Sequence, residues 1–247
     1  MEAAATGTEM GTSSGAGKGS GQDVLDRGFE AALKLAATRP WNSLSLRDIA
    51  EEAGLPLSSF QGVADRDGLA LHADTYFDRA MSAETVDEDD LARERLFDVI
   101  MLRYEAMEPH REGLLSLYRA LDRSAALRLQ RLPARRASAE WAFISAGLDG
   151  SGQVPMGIKA IGLAWVLARA EDAWRRETDP GFAKTMSALD KGLRQAEQRM
   201  QRMGAFGLVR KRSKGSTASD QGGAHADVTA SNAPDETPAA EAGAASA

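Results

Sequence analysis

The sequence contains no cysteine among its 247 residues. That absence excludes a disulfide framework, a cysteine nucleophile and a thiolate metal site. The sequence also lacks an apolar run long enough to cross a bilayer. It shows no signal or transit pattern at its amino end, so the cytoplasm is the expected location. With 43% hydrophobic and 27% charged residues, the composition is typical of a globular chain rather than a disordered one.

Both ends of the chain offer little that a core could bury. Residues 1–22 contain no Leu, Ile, Val or aromatic residue, and residues 215–247 have Val228 as their one large aliphatic side chain. Such segments cannot offset their ordering entropy by burial, so both are predicted to be disordered. Between them proline is sparse and Ala, Leu, Arg and Glu dominate, which predicts helices throughout residues 23–203.

Apolar spacing and capping residues predict where individual helices begin and end. Ser45 followed by Asp48 predicts a capped helix amino end, and Gly54 predicts its end. A further short helix is expected over residues 57–63, and another helix after the acidic run Asp87–Asp90. The last helix carries an apolar seam at alternating spacings of four and three, which is typical of either a core or a subunit interface: Phe182, Met186, Leu189, Leu193, Ala196, Met200 and Met203.

The most specific motif is the stretch Leu44–Leu55, with the sequence LSLRDIAEEAGL. It resembles the helix-turn-helix segment of TetR-family repressors, and Trp41 stands where that family often has Tyr or Phe. The resemblance implies an all-α fold with a three-helix DNA-binding domain at residues 23–80. It further implies a larger helical ligand-binding domain at residues 81–203 and a homodimer built on the last two long helices.

A recognition helix in the major groove would present a set of polar or small residues to the bases. The predicted DNA-binding residues are Ser45, Arg47, Ser58, Ser59, Gln61 and Gly62. The chain departs from the family just beyond them, because Asp67 replaces the usual Lys. From Ser45 to His72 there are five acids against two arginines. A unit of that sign repels the DNA backbone unless basic residues reach it from elsewhere.

The carboxy-terminal part carries a second resemblance. Residues 174–180 (WRRETDP) and 185–193 (TMSALDKGL) are similar to TetR-like proteins related to the ubiquinone-biosynthesis lipid-binding accessory protein. This resemblance implies a pocket for an isoprenoid or acyl lipid, and peripheral membrane contact through a carboxy-terminal amphipathic segment. In residues 204–247 a basic patch precedes the acidic tail. Its cations suit an anionic membrane surface, DNA phosphate, or a solvated helix end: Arg210, Lys211, Arg212 and Lys214.

Two further sets of residues are predicted for the helical body. The candidate pocket lining, which periodicity alone cannot separate from core, consists of Phe97, Met101, Tyr104, Tyr118, Trp141, Phe143, Trp165 and Trp174. The candidate dimer interface consists of Trp165, Phe182, Met186, Leu189, Leu193 and Met200. Glu171 or Asp172 could face the pocket, although an outward acid paired with Arg175 or Arg176 is the simpler interpretation.

The sequence offers no catalytic constellation, and neither a metal nor a cofactor is expected. The letters GTSSG at residues 11–15 match a nucleophile pattern but have no strand before them. The three histidines stand on separate elements. The sequence leaves two hypotheses, a ligand-responsive transcriptional regulator and a lipid-binding accessory protein. The net charge of −6 does not separate them, because it averages a basic patch with an acidic tail.

Overall fold

The computed structural model describes residues 16–150 and 154–215, and within them the chain is helical and forms no strand. Most of the two predicted disordered tails lies outside the described residues. The all-α prediction is confirmed over the described ranges. The helices are α1 (Ala16–Ala36), α2 (Leu46–Glu52), α3 (Arg66–Asp78), α4 (Ala92–Met107), α5 (Arg111–Arg123), α6 (Ala125–Gln130), α7 (Leu132–Ser145), α8 (Met156–Arg175) and α9 (Ala183–Gly215).

Local sequence signals account for the helix ends near the amino-terminal motif. The Ser45 side chain accepts a hydrogen bond from the Asp48 amide at 3.1 Å, and an Asp48 carboxylate oxygen accepts one from the Ser45 amide at 2.8 Å. This reciprocal pair satisfies two amides that would otherwise lack a partner. Gly54 follows with φ of +63°, which ends α2 as predicted. At the other side of the motif, α1 begins at Ala16, earlier than the expected start at Asp23.

The predicted helix over residues 57–63 is wrong in its length. Only Leu57–Phe60 are helical, and they form a single 3-10 turn after Pro56. Gly62 then takes a left-handed conformation with φ of +74°. Asp65 caps the next helix, because its carboxylate accepts a hydrogen bond from the Gly68 amide at 2.7 Å. The chain therefore turns into α3 before a full α-helix can form.

Close approaches join the amino-terminal helices to each other and to α5. Gly28 lets the ring of Phe60 lie within 2.6 Å of where a Cβ would stand, so the 3-10 turn packs directly on α1. Gly113 lets α5 cross α1 with the Leu33 carbonyl oxygen 2.2 Å from the equivalent Cβ position. One hydrophobic core then continues through both predicted domains, from Phe29 and Leu69 to Tyr118 and Trp174.

A buried ionic network crosses the centre of the helical body. Asp74 of α3 accepts hydrogen bonds from Arg103 at 2.6 Å and from Arg131 at 2.6 and 2.7 Å. Arg131 also donates to Glu171 at 2.8 Å, and Arg135 donates to Glu171 at 2.6 Å. Burial acts to raise the pKa of the Asp74 carboxyl, but the charges of Arg131 and Arg103 outweigh it and hold that pKa well below its usual range.

The simpler interpretation of the acids in α8 holds for Asp172 but not for Glu171. Glu171 faces inward, yet its partners are two arginines, Arg131 and Arg135. Asp172 is the outward acid, and it pairs with Arg176 at 2.6 Å. The Glu171 carboxylate is therefore already occupied by the protein's own cations.

The core belongs to the compact unit that ends at Phe206. None of the helices in the described chain is both long enough and apolar enough to span a bilayer.

Candidate nucleic-acid interface

The amino-terminal unit is built from α1, α2 and the 3-10 turn Leu57–Phe60. Ile49, Ala50 and Phe60 are buried, so the inner faces of α2 and the turn pack on α1. Arg27 of α1 donates to the Ala53 carbonyl at 2.8 Å, and Lys34 of α1 pairs with Glu52. These contacts attach α2 to α1, and buried Phe60 attaches the turn to the same helix, so α2 and the turn form one element of this unit.

The predicted DNA-binding residues lie on the outer side of this element. Ser58, Gln61 and Gly62 are exposed, and Ser59 is half-buried. Gln61 and Gly62 lie beyond the end of the turn, so the residues predicted to face bases do not share one helix face. No hydrogen bond occupies the side chains of Ser58 and Gln61 among the described residues, so both can meet a partner.

Ser45 and Arg47 have different roles at the start of α2. The Ser45 hydroxyl donates to the Asp48 carboxylate at 2.7 Å while accepting from the Asp48 amide. The pKa of the Asp48 carboxyl is lowered, chiefly because the Ser45 backbone amide donates to its charged form. Arg47 is exposed and makes no ion pair or hydrogen bond with the described part of the chain. Of the two, Arg47 has the side chain that is available to a phosphate.

Two of the three acids of this element are paired with cations outside it, and Asp48 lies 3.9 Å from Arg39. Glu52 is paired with Lys34, but Glu51 is exposed without a partner in the described ranges. Arg66, the second arginine between Ser45 and His72, donates to the carbonyl oxygens of Asn42 at 3.1 Å and Leu44 at 3.4 Å. Asp67 stands 3.6 Å from that same arginine. The surface of α2 and the turn therefore offers one uncommitted cation, Arg47, among the residues described.

The predicted pocket residues do not line a single cavity. Tyr104 and Tyr118 are buried beside the ionic network, and the Tyr104 hydroxyl donates to the Leu167 carbonyl at 3.1 Å. Met101, Phe143 and Trp174 are buried too, whereas Trp141 is 38% exposed and Trp165 is 70% exposed. Phe97 borders an open cleft of about 610 Å³ between α4 and α9, whose walls are mainly charged. Trp141 and Trp165 are therefore not enclosed within one chain, and their place in a pocket stays a prediction.

The residues of the predicted dimer interface divide in a similar way. Leu189 and Leu193 are buried within their own chain, so at these positions the α9 seam is core. Phe182 and Met200 are half-buried, while Met186 and Trp165 are exposed. Arg210, Lys211, Arg212 and Lys214 lie in the last turns of α9, and their side chains are outside the described residues.

Sequence reasoning missed Arg119 and Arg123 of α5. They are exposed, and with Arg39 they line a cleft of about 320 Å³ that also contains Pro40, Trp41 and Asn42. Their spacing of four residues was a visible sign that they share a helix face. Their position beside the loop that leads into α2 required the packing of α5 on that loop. No group of three or more His, Asp or Glu side chains in the described ranges could hold a metal ion.

Comparison with solved structures identifies the architecture. The structure is similar to a TetR transcriptional regulator from Nitrosomonas europaea ATCC 19718, with a TM-score of 0.57 and 18% identity over 71% of this chain and 98% of that one. It is also similar to a TetR transcriptional regulator from Rhodococcus sp. RHA1, with a TM-score of 0.51 and 12% identity over 69% and 92% of the two chains. The sequence matches no protein-family model and no curated protein. The chain has the all-helical fold of TetR transcriptional regulators.

Proposed function

We propose that the protein is a homodimeric transcriptional regulator that binds DNA through α2 and the Leu57–Phe60 turn. The observation that carries this proposal is the outer side of that element, where Arg47, Ser58 and Gln61 are exposed and unpaired within the described chain. Arginine can neutralise a phosphate, and glutamine can pair with adenine through two hydrogen bonds. The capping box and the Arg27 and Lys34 contacts hold these side chains on a preformed support.

In this proposal an apolar ligand controls the position of α3. This helix leaves the DNA-binding element at Arg66 and enters the helical body, where Asp74 binds Arg103 and Arg131. A ligand that separates α4 from α7 would break one of those two bonds, move α3, and so change the spacing of the two DNA-binding elements in the dimer. The buried lining candidates Met101, Tyr104 and Phe143 are the walls that such a ligand would displace.

Binding to duplex DNA from upstream of the protein's own gene, followed by fluorescence anisotropy, tests the regulator proposal. We expect micromolar or tighter binding that weakens steeply between about 50 and 200 mM salt. Arg47→Ala should weaken binding to every duplex, and Gln61→Ala should reduce the preference for the upstream sequence by about tenfold or more. Arg128→Ala, an exposed arginine on α6, is the matched control and should bind like the wild type.

A second candidate function is a lipid-binding accessory protein that keeps the fold without binding an operator. The shortness of the Leu57–Phe60 turn and the excess of acids around it favour this alternative. Absence of salt-sensitive DNA binding at micromolar protein would reject the regulator proposal. Native mass spectrometry of the gently extracted protein would then test the alternative, for which we expect a bound isoprenoid or acyl lipid. A reproducibly empty protein that also fails to bind liposomes would reject it.

A further inference from the structure

The loop that leads into α2 is held against α5 by a single serine. The Ser116 hydroxyl of α5 accepts a hydrogen bond from the Trp41 amide at 2.9 Å and donates to the Arg39 carbonyl at 3.4 Å. From the other side, Arg66 donates to the carbonyl oxygens of Asn42 and Leu44. Residues 40–44 are therefore fixed between α5 and the start of α3, directly before the cap of α2 at Ser45.

Arg119 and Arg123 extend from α5 along this loop. They lie about one and two turns beyond Ser116, on the exposed side of the helix. Neither makes a hydrogen bond or an ion pair with any residue in the described part of the chain. Most of the other walls of their cleft are the residues from Ala36 to Asn42, and Glu112 is the one acid among the lining residues.

The two arginines lie beside the loop that leads into the DNA-binding element. The loop beside them ends at Ser45, and the uncommitted Arg47 lies in the first turn of α2. A backbone that meets the start of α2 therefore continues toward the arginines of α5 across only five loop residues.

We propose that Arg119 and Arg123 bind phosphate groups of duplex DNA and extend the backbone contact from α2 onto α5. This inference rests on the proposed function and deepens it. Guanidinium groups without internal partners can each hold a phosphate through two parallel hydrogen bonds. Such contacts would supply from α5 the positive charge that the helix-turn-helix lacks. They would strengthen binding to any sequence, because phosphates carry no base information.

The salt dependence of DNA binding tests this proposal on the full chain. The logarithm of affinity falls with the logarithm of salt concentration by about 0.9 for each phosphate contact. A double variant with Arg119→Ala and Arg123→Ala should therefore bind every duplex more weakly and lose roughly 1.8 from that slope. The double change to lysine should restore most of the slope. The variant Arg128→Ala, which removes an exposed arginine on α6, should keep the wild-type slope and affinity.

The outcomes separate the two proposals. Wild-type binding together with an unchanged slope in the Arg119 and Arg123 variant would overturn this inference and leave the proposed function standing. A wild type that shows no salt-sensitive binding would overturn both. Circular dichroism melting verifies that each variant is folded. If the double variant does not fold, the single variants replace it, and each should lose about half of the slope change.

Discussion

The Glu177 carboxylate binds four backbone amides between α8 and α9. One of its oxygens accepts hydrogen bonds from the amides of Thr178 and Asp179, and the other accepts from the amides of Lys184 and Thr185. It thereby joins the end of α8 to the start of α9. Its own burial acts to raise its pKa, but the four amides outweigh burial and lower the pKa of Glu177 to about 2.

We expect Glu177→Gln to lower the free energy of unfolding by about 1 to 3 kcal/mol at neutral pH, because an amide nitrogen cannot accept the bonds it would face. A carboxylate with a lowered pKa stabilises the fold above its ordinary pKa of 4.5, and that contribution is lost as the pH falls toward 2. The difference between wild type and variant should therefore shrink over this range. Urea titrations at several pH values measure it, and exposed Glu112→Gln is the control. A difference that is independent of pH would contradict this explanation.

Gly113 and Gly162 form a matched pair, because both lie inside helices but in opposite surroundings. A Cβ on Gly113 would meet the Leu33 carbonyl oxygen at 2.2 Å, whereas a Cβ on Gly162 would meet nothing within 4 Å. We expect Gly113→Ala to destabilise the protein by about 1 to 3 kcal/mol, because α1 and α5 must move apart. Gly162→Ala should instead stabilise it by up to about 1 kcal/mol through helix propensity. Chemical denaturation measures the free energy of unfolding of both variants. Equal effects would contradict the prediction, because they would mean that α1 and α5 can move apart without loss of stability.

Among the helices, α3 is the element that belongs to both parts of the molecule. Its first turn is capped by Asp65 beside the DNA-binding turn, and its last turns carry Asp74 and Asp78 into the helical body. Burial raises the pKa of Asp78, although Arg103 and the Ser138 hydroxyl act against it. The charged network therefore fixes where α3 sits relative to α4, α7 and α8.

Removing Arg131, which binds both Asp74 and Glu171, should lower the stability of the protein. Arg131→Ala leaves the carboxylates of Asp74 and Glu171 buried with fewer partners, so we expect a loss of about 3 to 5 kcal/mol in the free energy of unfolding. Exposed Arg128→Ala on neighbouring α6 should change it by less than about 0.5 kcal/mol. Equilibrium unfolding in urea measures both. A loss below about 1 kcal/mol for Arg131→Ala would show that the network does not hold α3 in place.

At the scale of the whole molecule, the exposed face of α8 is the surface through which we expect two copies to associate. Trp165 is 70% exposed, and Ile161 and Ile158 lie on the same side one and two turns earlier. A large apolar side chain exposed to this extent is typical of a contact surface. The proposed homodimer would bury it, together with the exposed Met186 of α9.

We expect Trp165→Glu to weaken self-association at least about tenfold, because a central tryptophan commonly contributes 2 kcal/mol or more to an interface. Sedimentation velocity over a range of protein concentrations measures this change. Leu91→Glu is the control, since Leu91 is another exposed apolar residue but follows an acidic loop. A monomeric wild type, or a Trp165→Glu protein that still dimerises normally, would contradict the proposed interface.

Much of the fold could be predicted from local sequence. The α2 cap needs only Ser45 and Asp48, three residues apart, and the end of α2 needs only Gly54. Helix periods repeat every few residues, so α4 after the acidic run and the apolar seam of α9 could be predicted as well. The length of the helix predicted over residues 57–63 could not be predicted correctly. Gly62 and the Asp65 cap compete with a helical pattern that continues past Phe60.

The residues that matter most for function depended on contacts between distant parts of the chain. Glu171 faces inward because it accepts a hydrogen bond from Arg131, which lies forty residues earlier in the chain. Arg119 and Arg123 stand beside the loop into α2 because Ser116 binds Trp41, seventy-five residues away. Local patterns therefore predicted that the chain is helical, and the resemblance of the Leu44–Leu55 motif predicted a helix-turn-helix. The packing of α1, α3, α5 and α8 decided which charged side chains are paired inside the fold and which remain available to a partner. The physical reason is that each charge is paired or left exposed by residues distant from it in sequence.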